Sequence, residues 1–429
     1  MSAPAILRRG WCPGALRPML TGDGLLLRVR VPCGRLSLDQ ALSIADCAAR
    51  HGNGTIEITA RANLQLRGVR NASLFALQKR LHSLGLLDAD EATESARNIL
   101  VSPIADLDPT AILDPAPLAR ALDARLESDA ALRSLPPKFS FTIDGGGALS
   151  LAGISSDIRF VAARVPNGLA FEIFLDGDDS VAALCQPIDV AAAAGRIARI
   201  FERLTARAGA DARRMAQVTR KIGASSLFAK ASLAPVAPSA IARGPASLET
   251  FLGAHRFGEE FCVGAAPALG RMRAEDLAFL AQSVRRLGAR DIRVTPWRAL
   301  IVTGLAAVSS RALVGELTSS RFILDPTDPL LRIVACAGAP ACGNAARDVQ
   351  AEAKDFAREV PRERGIFLHV SGCSKGCAHA APAPLTLVAR PTGYDLVSNG
   401  RAADAPQRVD LSLADVAMLL ARERADHEI

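Results

Sequence analysis

The chain has 429 residues, a formal net charge of +7 and 49% hydrophobic residues, enough for two to four structural units with sizeable cores. Its arginines are dispersed and it has a single tyrosine, which argues against a nucleic-acid surface and suits a polyanionic small molecule held by a few inward-facing arginines. The start shows no secretory leader, no apolar run reaches spanning length, and nine cysteines is an odd number, so a cytoplasmic protein without a membrane span or a disulfide framework is expected.

The opening segment, with Trp11, Cys12 and the Gly22-Asp23-Gly24 turn, reads as a loop near a cleft and has no assigned role. Residues 34–68, GRLSLDQALSIADCAARHGNGTIEITARANLQLRG, follow. Their periodicity predicts an amphipathic helix over Leu38–Arg50, a glycine-containing turn and an alternating strand pair. A second helix is predicted in NASLFALQKRLHSLG. The same order recurs 236 positions later, without a gap, in GRMRAEDLAFLAQSVRRLGARDIRVTPWRALIVTG, residues 270–304. There the helix is predicted over Ala274–Leu287, and SSRALVGELTSS supplies the following one.

A weaker echo covers what comes between and after. RNILVSP at 97–103 parallels LRIVACA at 331–337, and KFSFTIDGGG at 138–147 parallels IFLHVSGCSK at 366–375. Each copy ends in a helix, predicted over 187–207 and 412–424. The Pro-, Ala- and Ser-rich stretch 231–247 reads as a linker between the copies. The expected fold is therefore α+β and tandemly duplicated. Small α+β units are placed at 1–92 and 248–326, and larger αβ domains at 93–230 and 327–429. The small units are expected to pair about a pseudo-twofold axis, leaving a cleft between the larger domains.

Five cysteines (Cys12, Cys33, Cys47, Cys185 and Cys262) are scattered, and Cys47 sits on an alanine-rich helix as a small core residue. The other four form C-x5-C at Cys336 and Cys342 and C-x3-C at Cys373 and Cys377, in one copy alone; Ser102 and the run Gly145–Gly147 stand in the other. Zinc ribbons favour tighter knuckles, whereas a [4Fe–4S] cubane accepts looser spacing, so these cysteines are the candidate cluster ligands. Gly338, Gly372 and Gly376 would let the backbone approach the cluster closely. His379, just beyond the motif, is either a residue supporting the site or an iron ligand. No strand-following G-x-G-x-x-G occurs, so NADH is not expected to bind here.

CAGAPAC with VSGCSKGCAH and the duplicated small unit resembles the siroheme- and cluster-containing nitrite and sulfite reductase superfamily. Within it, WCPGALRPMLTGDGLLLRVR, HGNGTIEITARANLQLRG and VSGCSKGCAH are similar to the precorrin-3B synthases of aerobic cobalamin biosynthesis. The resemblance implies ferredoxin-like half-domains for the small units and a cluster domain at 327–429. Thr59, Arg61, Gln65 and Gly68 match the superfamily pattern T-x-R-x-x-x-Q-x-x-G, and Arg97 matches a second arginine before N-x-L-x-S. Lys138 matches the first lysine of P-x-K-F-K, while Ser140 replaces the second. By resemblance Arg61, Gln65, Arg97 and Lys138 would hold tetrapyrrole carboxylates or an anion; Trp297 and Ile301 stand at the second-copy positions of Arg61 and Gln65.

The implied activity is a monooxygenase acting on precorrin-3A, hydroxylating C20 with γ-lactone closure of the ring-A acetate. The cluster would deliver electrons received from NADH through a separate reductase or ferredoxin. Whether siroheme or a further non-haem iron stands beside the cluster is left open, and Cys377 is the candidate to bridge to it. The alternatives are a siroheme-dependent nitrite or sulfite reductase and a non-catalytic iron–sulfur or zinc module.

Overall fold

Alternating apolar residues in GLLLRV and LQLRGV send Leu25, Leu27 and Val29, with Leu64, Leu66 and Val69, into one core. We describe the chain from a computed structural model, which describes residues 12–166, 168–207, 212–239, 246–362 and 365–427. The first small unit builds a five-stranded sheet from Met19–Thr21, Gly24–Val29, Leu64–Val69 and Thr55–Ile58. Its fifth strand, Arg271–Arg273, comes from the other copy. The second sheet runs Gly253–Phe257, Glu260–Pro267, Leu300–Leu305 and Asp291–Val294, and its edge is Arg35–Leu36 of the first copy. Each unit thus lends a short strand to its sibling, and a single core runs through both.

Helix Leu38–His51 starts at a capping box, in which the Ser37 hydroxyl accepts from Gln40 N and the Gln40 side chain accepts from Ser37 N. It packs on its counterpart, Ala274–Arg286, beneath the two sheets. The backbone repeats at the same offset of 236: Cys33 (φ 54°) matches Leu269 (φ 55°), and Ala62 (φ 51°) matches Arg298 (φ 60°). Left-handed conformations are uncommon for side-chain-bearing residues. Their recurrence at matched positions marks a true structural duplication.

The larger domains repeat each other too. Ile99–Val101, Phe141–Asp144 and Ile158–Val165 run parallel, then Gly168–Leu175 and Asp178–Cys185 continue antiparallel. In the second copy Ile333–Ala335, Leu368–Ser371 and Ala383–Ala389 are parallel, followed by Tyr394–Gly400 and Arg408–Leu411. Each sheet has its own core. The linker expectation needs correction. Pro235–Val236 pairs with Asp178–Cys185 as a sixth, outer strand of the first αβ sheet. An edge is where a proline can join a sheet, because it has no N–H to leave unpaired. Residues 240–245 of that stretch lie outside the described residues. No described helix is long and apolar enough to cross a membrane.

Candidate functional site

Parallel strands end at the same edge of a sheet, and this brings the two cysteine pairs together. Cys336 follows Ile333–Ala335, and Cys373 follows the neighbouring strand Leu368–Ser371. Gly372 N donates to Cys336 Sγ at 3.1 Å. A Cβ on Gly372 would stand 3.2 Å from that sulfur and 2.6 Å from Ala345 Cβ, so the position demands glycine. Gly338 (φ 69°) and Gly376 (φ 60°) turn the two loops through conformations that disfavour a side chain. The thiols interact electrostatically. Burial pushes Cys336 up, with Cys342 and Cys377 adding to the shift, while the Gly372 and Gly338 N–H groups oppose it. Cys377 is likewise raised by burial and by Cys373 and Cys342, and lowered by Lys375 and Lys138.

Ionised together, these thiols would repel one another unless a cationic core stood between them, which a cluster would provide. Among the described residues no three His, Cys, Asp or Glu side chains converge on a single-ion site. A cubane takes its ligands at four separate corners, which suits two cysteine pairs carried by two neighbouring loops. The thiols, the glycines and the Gly372 and Gly338 N–H groups turned to Cys336 fit a [4Fe–4S] group.

The copy without cysteines keeps the same frame with different chemistry. Gly145 N donates to Ser102 Oγ at 2.7 Å, the counterpart of the bond to Cys336. Ser102 Oγ in turn donates to the buried Asp144 carboxylate (3.2 Å), which also accepts from Gly146 N (2.9 Å), Leu151 N (2.8 Å) and Ser150 Oγ (2.9 Å).

A cleft of about 500 Å³ opens beside Cys336 and Cys377, within the range of small-molecule and cofactor sites. Arg61, Gln65 and Lys138 line it, together with Arg28 and Arg298, which the sequence reading did not single out. Arg28, Arg61, Arg298 and Lys138 form no ion pair among the described residues. Burial, then the neighbouring Arg214, lowers the Arg61 pKa, and burial does the same to Arg298. The Gln65 amide accepts from Arg28 Nη2 at 2.9 Å and donates to Glu57 Oε2 at 3.2 Å.

Arg97 does not join this set. Its guanidinium is held by Asp123 (Nε–Oδ1 3.1 Å, Nη2–Oδ2 3.2 Å) and by Asp88, and it borders a separate small pocket. Two carboxylates already neutralise it, which removes it from the cleft's free cations. Ser140, where a second lysine stands in the superfamily pattern, is buried with its N–H on Asp157 Oδ2 at 3.0 Å.

The Gly22-Asp23-Gly24 turn acquires a role. Arg67 is 3% exposed and makes a two-pronged pair with Asp23 (both contacts 3.0 Å), a contact to Glu57 (3.3 Å) and a bond to Ala341 O (2.8 Å). Gly22 N donates to the same carbonyl at 3.2 Å, and a Cβ there would meet Pro340 O at 2.1 Å. The first copy thereby grips the loop joining Cys336 to Cys342. A glycine–aspartate–glycine turn upstream of an arginine-bearing strand was the signal available in the sequence.

His379 packs at 5.8 Å between ring centroids from His369, which is fully buried with neither ring nitrogen partnered. Burial first, then His379 and Arg298, push His369 down to about 4, so its imidazole is neutral at physiological pH.

Comparison with known proteins gives the same direction. The family described as the nitrite/sulfite reductase ferredoxin-like half domain matches residues 17–84 and 254–319. The nitrite and sulphite reductase 4Fe-4S domain matches 92–234, the copy that carries Ser102 instead of a cysteine. A precorrin-3B synthase from Sinorhizobium sp is 35% identical over 405 residues, covering 94% of this chain and 85% of the relative. A ferredoxin–nitrite reductase from Synechococcus elongatus is 28% identical, covering 89% and 79%. The Mycobacterium tuberculosis NirA protein has a similar fold, with a TM-score of 0.74 over 93% of this chain and 80% of its own, at 19% identity.

Proposed function

Since this chain belongs to the nitrite and sulfite reductase family, a family of oxidoreductases, we propose that it hydroxylates an anionic tetrapyrrole, as the name of its precorrin-3B synthase relative suggests. The proposed substrate is precorrin-3A, hydroxylated at C20 with closure of the ring-A acetate to a γ-lactone. Dioxygen gives one oxygen atom to the product, and the other leaves as water with two electrons and two protons. NADH is the ultimate donor of those electrons, through a reductase or ferredoxin.

The observation that carries this reading is the composition of the cation set. A small oxyanion would need several cations packed on one point, yet Arg97 is neutralised and Ser140 has replaced a lysine. What remains lines the cleft without a carboxylate partner: Arg28, Arg61, Arg298 and Lys138. Three guanidinium forks and an ammonium suit the several carboxylates on the rim of a macrocycle. A bound cluster would supply electrons one at a time. The chain's own residues hold the carboxylates, orient the ring over the Cys336 and Cys377 wall, and narrow the cleft against water.

The second reading is siroheme-dependent nitrite or sulfite reduction, favoured by the nitrite reductase relatives and requiring siroheme in the same cleft. Anaerobic purification with an absorption spectrum, followed by addition of precorrin-3A and oxygen, separates the two. Cluster absorption without siroheme, and a product heavier by one oxygen, is the expected result. Siroheme bands with sulfite or nitrite turnover would establish the second reading instead. Arg61→Met is expected to raise KM for the tetrapyrrole roughly 10- to 100-fold, the loss of one charge-assisted hydrogen-bonding group, with a smaller change in kcat. Steady-state kinetics at two salt concentrations checks this, because the wild type should lose more affinity to salt than the variant.

A further inference from the structure

Four residues stand directly opposite one another across the first sheet: Arg28, Gln65, Glu57 and Arg271. Their strand neighbours Leu27, Val29, Leu64, Leu66, Ile56 and Ile58 point into the core, so the row lies on the other face. Directly opposed side chains are close enough to bond, and these do. Arg28 Nη2 donates to the Gln65 amide (2.9 Å), which donates to Glu57 Oε2 (3.2 Å). Arg271 Nε donates to Glu57 Oε1 at 3.0 Å, and Arg67 Nη1 to Glu57 Oε2 at 3.3 Å. The same two arginines reach opposite ends of the cluster loop. Arg67 Nη2 donates to Ala341 O (2.8 Å), beside Cys342, and Arg271 Nη2 to Ala337 O (3.4 Å), beside Cys336. Glu57 itself lines the cleft with Arg28 and Gln65. One carboxylate thus meets both arginines that hold the loop and the amide that holds a cleft cation.

The second sheet shows what holding a loop requires by itself. At the offset of 236 its row reads Gly264, Ile301, Arg293 and Arg35, opposed in the same register. Arg293 Nη1 donates to Pro103 O at 2.9 Å, in the loop after Ile99–Val101, as Arg271 does to Ala337 O. The acid here belongs to that loop: Asp106 accepts from Arg293 (3.1 and 3.0 Å) and pairs with Arg35 (3.2 Å). Neither Gly264 nor Ile301 has a polar side chain, so the row ends at Arg293. A loop can therefore be held to its sheet with no connection to a cleft. Where the loop carries cysteines, the acid stands on the strand instead, and the row continues to Arg28. We propose that Glu57 is a positioning residue shared by the cleft and the cluster loop. Through Gln65 it sets Arg28 at the cleft wall, and through Arg67 and Arg271 it sets the backbone at both ends of the loop. The inference does not depend on which reaction the cleft performs.

Hydrogen exchange and ligand binding, measured on the full chain with its cluster, read the two ends separately. Exchange is followed at Ala339 N and Cys342 N, which donate to Arg347 O and Gly338 O. Binding is followed with coproporphyrin, a tetracarboxylate. Arg28→Met should weaken porphyrin binding and leave loop exchange as in the wild type. Arg271→Met should speed loop exchange and leave binding as it was. Glu57→Gln, which keeps the shape and removes the charge, should do both, each by about tenfold, the scale of one charge-assisted hydrogen bond. A general loss of stability would speed exchange throughout the chain and could not reproduce this division. Glu57→Asp, with the charge on a shorter stem, should show the same two effects at smaller size and serves where Glu57→Gln does not fold. Both properties unchanged at Glu57, or only one of them altered, would overturn the proposal. A wild type that binds no porphyrin counts against the tetrapyrrole reading instead, and a crystal structure of Glu57→Gln then decides the cleft end. Arg28 and Gln65 displaced from their wild-type places would support the proposal, and both in place would overturn it.

Discussion

Arg67→Met should destabilise the protein by about 3–5 kcal/mol, the range for removing one partner of a buried charge network, and should release iron from the holoprotein at neutral pH. Arg67 is almost fully buried, and its loss would take the one arginine from Asp23 and one of two from Glu57, which keeps Arg271, while leaving Ala341 O to Gly22 N alone. Methionine matches much of the arginine stem in volume, so the effect isolates charge and hydrogen bonding from packing. The contact spans the two copies: Arg67 and the Gly22-Asp23-Gly24 turn lie in the first, and Ala341 precedes Cys342 in the second. Loss of the grip should therefore appear twice, as a lower unfolding midpoint and as faster loss of cluster absorption to a chelator.

The pH dependence gives a further check. Burial alone would raise the Asp23 pKa, but the hydrogen bond and charge of Arg67 outweigh it and hold the group below 3.8. A depressed carboxylate contributes its stability in full above the ordinary range and loses it as pH falls through the depressed value. The gap between wild type and Arg67→Met should accordingly be widest near neutrality and shrink below about pH 4. Denaturant titrations across that range measure it. A gap that stays constant with pH would show that Asp23 is not the partner responsible.

What could be read from the sequence divides along physical lines. The duplication was legible because helix and strand periodicities recur at a fixed offset, and the cysteines because two close pairs flank predicted strand ends. The exchange of Arg35–Leu36 and Arg271–Arg273 between sheets was not, since pairing between residues far apart leaves no local pattern. Arg97 shows the same limit. Its motif context pointed to a ligand, while its true partners, Asp88 and Asp123, lie in flanking segments that only the folded chain brings together. Arg28 and Arg30, by contrast, are marked by the alternation of their own strand. In GLLLRVR the residues Leu25, Leu27 and Val29 face the core, so Arg28 and Arg30 must share the opposite face with Leu26. That face looks onto the cleft and the small pocket behind it.

The largest functional effect is expected from Cys336→Ser, because the first copy already shows what this substitution would build. There a serine hydroxyl accepts from Gly145 N, in the frame where Cys336 Sγ accepts from Gly372 N. The variant should therefore keep that bond and its fold, with apo-protein stability within about 1 kcal/mol of wild type. Iron should fall from about four per chain towards zero, because a serine hydroxyl is a poor substitute for a thiolate at iron. Cluster absorption should disappear with it, and turnover should drop to background with any electron donor. Cys336→Ala is the companion: it removes the acceptor as well as the ligand, and the stranded Gly372 N–H should cost about 1–3 kcal/mol. Stability that separates the two variants, with iron lost from both, would distinguish a ligand from a packing residue. Full iron and activity in Cys336→Ser would instead mean that the thiols merely fill space, and the cluster assignment would fall. The converse substitution, Ser102→Cys, should gain no iron, since by strand register Gly146 stands in place of Cys373 and the nearby Asp144 carboxylate is already taken up by four hydrogen bonds.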